Sequence, residues 1–149
     1  MPHPDTHAGR AAHHAAAYDA AAESYEREGE RSGRPWFQRP LTELQARLPS
    51  SGRVLDLGCG PGLESADLHD RGFLPVGVDG SRGMLLRAAL RCPQGEFVQG
   101  DMLSLPLANE AVDGVWASAS LFHLAREDVG RASPRSTASF APAGRSTVP

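Results

Sequence analysis

The chain is 149 residues long, 40% hydrophobic and 22% charged, with a formal net charge of −3 and a pI near 6.0. One domain of this length buries a core without a disulfide or metal staple, and its mild acidity supplies no bulk attraction to nucleic acid or anionic lipid. All 15 basic residues are Arg, and the absence of Lys excludes a Walker-A lysine, a Schiff-base lysine and a Ser-x-x-Lys nucleophile. Ile is absent too, which with abundant Ala, Gly, Arg and Pro points to a GC-rich gene. Two cysteines, Cys59 and Cys92, are too few for a disulfide framework and suit a reducing compartment. No apolar run reaches the ~20 residues of a membrane helix, and the start lacks a signal-peptide core. The expectation is a soluble cytoplasmic protein.

In chain order, residues 1–16 are Ala- and His-rich without periodicity and read as a disordered tail. Tyr18, Ala22 and Tyr25 then share one face of a helix, which the charged run from Glu26 to Arg34 ends. Pro40 opens a second helix with Leu41, Leu44 and Leu48 in one stripe. From Arg53 the rhythm becomes strand, loop, helix. Val54-Leu55-Asp56-Leu57 is a short apolar strand, followed by a glycine-rich loop and a helix that stops at Gly72. Leu74 to Val78 is a second strand ending on Asp79, and Ser81 caps a helix through Met84, Leu85, Ala88 and Leu90. Phe97 to Gln99 is a third strand ending at Gly100-Asp101, and Val112 to Ala117 a fourth. The alternation predicts an α/β domain with a doubly wound parallel sheet over residues 17–131.

Ligands in such sheets bind beyond the carboxyl ends of the strands. The candidates are therefore Asp56, the loop Gly58-Cys59-Gly60-Pro61-Gly62, Asp79, Asp101 and Ala117. Glycines let backbone approach a ligand closely, and free N–H groups at the next helix suit a polar or anionic group. An acid after the second strand can accept both hydroxyls of a ribose; one after the third can accept from an exocyclic amine. Together they describe a pocket for an adenosine with something attached. Each has a plainer reading: the Gly58-x-Gly60 run as a tight turn or a nicotinamide site, Asp79 as a helix cap, Asp101 as a strand terminator. Cys59 reads as a small packed residue, His123 as a helix-start histidine near the substrate side, and Tyr18 with Tyr25 as a core face or a cover for the pocket. A dinucleotide fingerprint requires a glycine where Leu63 stands.

The string Val54 to Gly62, with Asp56, Gly58, Gly60 and Gly62 in D-x-G-x-G-x-G spacing, resembles motif I of the class I S-adenosylmethionine-dependent methyltransferases. Asp79 with Gly80 is similar to that family's ribose-binding step, and Asp101 with Met102 to its adenine contact. Residues 113–124 resemble the fourth motif, where the backbone near Ala117 meets the methionine end of the cofactor. Residues 18–27 resemble its N-terminal helix. The resemblance covers residues 18–131 and implies a Rossmann-like fold with S-adenosylmethionine as cofactor, Cys59 lying within the binding loop. It implies in-line methyl transfer to a small-molecule acceptor, with no metal, no nucleic-acid or membrane partner and no assigned catalytic residue. Two other readings are a cofactor-binding fragment without turnover and, disfavoured by Leu63, a nicotinamide-dependent oxidoreductase.

Residues 132–149 depart from that pattern. They hold no Asp or Glu, and only Phe140 and Val148 as large apolar residues, a disordered composition. Back-translated with GC-rich codons and shifted by one base, they yield an amphipathic stretch and a Pro-Gly-Gly turn of the kind the family carries there. The expectation is thus four recognisable strands with the C-terminal strands missing, an out-of-frame tail, and a fourth strand left as an exposed apolar edge. A chain so shortened is expected to be poorly stable and weakly active.

Overall fold

The computed structural model describes residues 3, 6–32, 34–108, 110–118 and 139–143. Five strands form one parallel sheet: β1 (Arg53–Leu57), β2 (Leu74–Asp79), β3 (Glu96–Gln99), β4 (Gly114–Ser118) and β5 (Ser139–Ala143). Their spatial order is β3-β2-β1-β4-β5. The order reverses between β1 and β4, so the crevice for a ligand opens at the carboxyl ends of those two strands. Four α-helices accompany the sheet: α1 (His7–Ser32), α2 (Gln38–Arg47), α3 (Leu63–Asp70) and α4 (Arg82–Arg91).

Strand periodicity assigns the two faces. Val54 and Trp116 turn toward Leu41 and Leu44 of α2 and Leu68 of α3, together with Phe37 and Phe73. Phe37 meets the Trp116 ring edge-on at 4.8 Å. Leu85 and Ala88 of α4 pack on the same face with Cys59 and Phe97. Leu55, Leu57, Val76, Val78, Val115 and Ala117 point the other way, onto Met102, Leu103, Leu105 and Leu107. Among the described residues, the helices therefore cover one face and residues 102–107 the other.

Local signals place the helix ends as the sequence predicts. Ser81 Oγ accepts the Met84 N–H at 3.1 Å, and Gly72 (φ 91°) follows the end of α3. The second helix begins at Gln38, two residues before Pro40, after a 3-10 turn over Pro35–Phe37. The fourth strand begins at Gly114, two residues later than expected, because Asp113 turns its carboxylate onto the Arg53 N–H at 2.7 Å.

Two expectations are corrected. Residues 7–16 are not a loose tail: α1 runs unbroken from His7 to Ser32. Alanine is the best helix former, and this stretch has a surface to lie on. Nor is β4 an open edge, since β5 pairs with it in parallel from Gly114↔Ser139 to Ser118↔Ala143. An unpaired strand edge is a backbone template that tolerates many sequences, and an edge position tolerates Pro142, which has no N–H to donate. No described helix is long and apolar enough to cross a membrane. His123 lies outside the described residues.

Candidate functional site

Four strand ends and one helix enclose a cavity of about 860 Å3 of empty space, open solvent included. Its floor comes from the segments after β1 (Gly58, Gly60), after β2 (Asp79, Gly80, Ser81) and after β3 (Gly100, Asp101, Met102), with Ser118 ending β4 and Met84 beneath. Its roof is α1, which turns His7, Arg10, Ala11, His14, Ala15, Tyr18 and Tyr25 inward. These roof residues form one helical stripe with the buried Ala22. The Tyr18 and Tyr25 rings meet edge-to-face at 5.8 Å.

The β1 loop is shaped by backbone that side chains rarely adopt. Gly60 (φ 53°) shows the cavity an open position, where a Cβ would find only Tyr25 Cε1, 4.0 Å away. Gly62 (φ 79°) does something else: its Cβ would stand 2.7 Å from Ala88 Cα, so this glycine lets α3 start against α4.

The acids are held by backbone. Asp79 Oδ2 accepts the Gly60 N–H at 2.9 Å and Oδ1 accepts the Ser81 N–H at 2.8 Å, so this carboxylate ties the β1 loop to the β2 loop. Asp101 Oδ1 accepts the Leu103 N–H at 2.9 Å, and His7 Nε2 sits 2.7 Å from Asp101 Oδ2. The acceptors thus face one space from two strand ends, with Met102 as an apolar wall.

Four sequence candidates stand behind the cavity, not in its wall. Asp56 is 1% exposed. Strand alternation turns it to the α3 side, where Ser65 Oγ donates to it at 2.6 Å. Burial, then the neighbouring Glu64 carboxylate, pushes the Asp56 carboxyl up to about 8. Glu64 is itself raised by burial, although it accepts the Trp116 Nε1–H at 2.9 Å. The Cys59 thiol packs with Leu85, Ala88 and Phe97, and burial pushes it well above its ordinary range. That matches the packed-residue reading of Cys59. Gly62 serves helix packing, and the Ala117 side chain lies in the core while Ser118 takes the cavity wall.

What the residue-by-residue reading missed is the roof's first half. The signal was present in spacing: His7, Ala11, His14, Tyr18, Ala22 and Tyr25 continue one stripe at steps of three and four. Alanine at three of these positions hid it. Tyr18 and Tyr25, left open between core face and cover, do line the cavity; burial raises both phenols, with Asp79 adding to the effect on Tyr18. Among the described residues no group of three His, Cys, Asp or Glu side chains is placed to hold a metal ion.

The cradle suits S-adenosylmethionine on structural grounds: an open glycine position, acceptors beyond the second and third strands, and an apolar wall beside them. Known proteins agree. A family model described as a methyltransferase domain matches residues 54–144. The chain is 41% identical over 111 residues to a trans-aconitate 2-methyltransferase of Paracidovorax citrulli, covering 71% of this chain and 42% of the relative. It is 37% identical over 106 residues to a malonyl-[acyl-carrier protein] O-methyltransferase of Enterobacter lignolyticus, covering 70% and 40%. The chain spans about two fifths of the length of these curated relatives. Among solved structures, an S-adenosylmethionine-dependent methyltransferase from Mesorhizobium loti matches with a TM-score of 0.51 at 33% identity, covering 61% of this chain and 43% of that one. By the family model over most of its length, and with the strand-end cradle in place, this chain belongs to the class I S-adenosylmethionine-dependent methyltransferases.

Proposed function

We propose that the cavity binds S-adenosylmethionine and that the chain serves methyl transfer to a small-molecule acceptor. The observation that carries this reading is the convergence of Asp79, Asp101 and the open Gly60 position on one cavity at the strand ends. When bound, the cofactor supplies an electrophilic methyl group on its sulfonium. The chain's own residues bind, orient and exclude water. Asp79 accepts the ribose hydroxyls while Gly60 and Ser81 hold its carboxylate still. Asp101 accepts the adenine amine, so His7 yields the carboxylate it holds in the closed cavity. Met102 lies against the ring, and Gly58, Gly60 and Gly80 offer backbone. Asp56, Cys59, Gly62 and the Ala117 backbone shape the loop and strand end from behind. Tyr18 and Tyr25 close the roof and keep water out.

The names of the two curated relatives put carboxylate-bearing acceptors first for testing. A carboxylate is already ionised near neutral pH, so such an acceptor needs no general base, and none is assigned here. Calorimetric titration with S-adenosylhomocysteine, with NAD as control, tests the cofactor reading. Saturable binding of the former alone, lost in Asp79→Ala, is the expected result; a folded protein that binds neither compound overturns it. Methyl transfer to a panel of small carboxylic acids then separates an enzyme from a cofactor-binding fragment without turnover.

A further inference from the structure

Asp19 lies one residue beyond Tyr18 on α1 and has no place in the cavity wall. Its Oδ1 accepts two hydrogen bonds from the turn that opens α4: Ser81 Oγ–H at 2.6 Å and Gly83 N–H at 2.7 Å. Ser81 is the hub. Its single hydroxyl proton goes to Asp19, its Oγ accepts the Met84 N–H, and its backbone N–H donates to Asp79 Oδ1. An unbroken polar path thus joins the roof helix to the carboxylate that binds ribose: Asp19, Ser81, Asp79, then the Gly60 N–H of the β1 loop.

The joint is built for close approach. A Cβ on Gly83 would stand 3.1 Å from Asp19 Oδ1 and 3.3 Å from Asp19 Cα, so glycine lets α1 lie directly on the start of α4. Ala15, one turn earlier on α1, has its Cβ 3.6 Å from the Cβ position of Gly80, so the roof rests on the same turn twice. The Asp19 carboxyl is held below its ordinary range by these two hydrogen bonds, Ser81 first. It is therefore a charged acceptor at neutral pH, facing the N-terminal end of a ten-residue helix.

We propose that Asp19 is a positioning residue for cofactor binding: by fixing Ser81, it holds the Asp79 carboxylate in the orientation that receives the ribose hydroxyls. The same contact docks α1 over the cavity, so roof closure and ribose recognition share one joint. Asp19 touches neither cofactor nor acceptor, and the inference rests on the S-adenosylmethionine reading above.

The test compares S-adenosylhomocysteine with its 2′-deoxy analogue, by titration calorimetry on the full chain and on Asp19→Ala and Asp19→Asn. An acid that receives the ribose hydroxyls makes the wild type favour the ribose form by roughly tenfold or more. In Asp19→Ala, affinity for S-adenosylhomocysteine is expected to fall about tenfold and the preference over the deoxy analogue to shrink with it. Asp19→Asn keeps the accepting oxygen and is expected to restore most of that preference. If Asp19→Ala weakens both ligands equally and keeps the preference, Asp19 only holds the roof, and the proposal is overturned. Unchanged affinities overturn it as well. Should Asp19→Ala not fold, Gly83→Ala strains the same contact from the other side and is read in the same way. A wild type that binds neither ligand overturns the cofactor reading itself, and is distinct from every outcome in which the wild type binds.

Discussion

The floor and the roof of the cavity are made of different materials. The floor, residues 53–118, is a parallel sheet whose side chains are buried on both faces and whose loops are tied by backbone hydrogen bonds. The roof, α1, is mostly exposed, with Ala22 as its one fully buried apolar side chain. Polar side chains pin it: Asp19 on α4's first turn, Glu26 to Arg87 and Arg91, Glu30 to Arg91, and His7 to Asp101. Apolar burial is hard to undo in water, whereas partly exposed ion pairs are individually weak and exchange with solvent. A site of this construction keeps its floor while its roof opens for ligand exchange.

The contrast can be broken at the floor first. Trp116 is fully buried against Phe37, so Trp116→Ala is expected to cost about 3–5 kcal/mol. Loss of the cooperative thermal transition would be the readout; a stable variant would mean that the sheet is not the source of stability. Asp79→Ala should leave that transition close to wild type and lower affinity for S-adenosylhomocysteine by roughly a hundredfold, the value of two charge-assisted hydrogen bonds.

Asp56 sharpens the comparison through pH. Its folded carboxyl titrates near 8 against an ordinary 3.8, so folding penalises its charged form. The penalty is absent below the ordinary value, grows as pH rises, and is complete above about 8. Wild-type stability should therefore decline from acid to mildly alkaline pH. Asp56→Asn, which keeps an acceptor for Ser65, should flatten that decline and gain on the order of 1–3 kcal/mol at pH 8.5. Denaturant unfolding across pH measures this, and parallel curves for the two proteins would refute a buried, mostly neutral Asp56.

The smallest effect belongs to the roof. Arg91→Ala removes the bonds to Glu26 and Glu30, and partly exposed pairs of this kind contribute less than about 1 kcal/mol. Global unfolding should barely move, while amide exchange in α1 quickens and that in β1 and β2 does not. About 0.5 M salt should act on the wild type in the same direction. Equal quickening in roof and floor would erase the distinction between them.

Much of the floor was legible residue by residue. Short apolar strands, a serine N-cap, a glycine stop and acids just past strand ends are each encoded within a few positions, where periodicity and capping act. Where the reading went astray, the deciding partner lies far along the chain. Asp56 was grouped with the ligand contacts by its motif, yet it sits opposite Trp116 in the β1–β4 register, on the face that α3 covers. Ala117 gave way to Ser118 because the actual end of β4 sets which residue reaches the wall. Residues 1–16 looked featureless because alanine carries no face of its own.

By itself, then, the amino-acid order determined the succession of strands and helices, the glycine loop, and the acids at the strand ends. These follow from backbone conformation and from contacts within a turn or two. Only the tertiary structure decided that α1 roofs the cavity, that His7 meets Asp101 94 positions away, and that Asp19 reaches Ser81 across 62. It also decided that β5 borders β4. The physical reason is the same throughout. Such contacts are set by where whole elements dock, and docking is a sum over many weak terms that no short window of sequence contains.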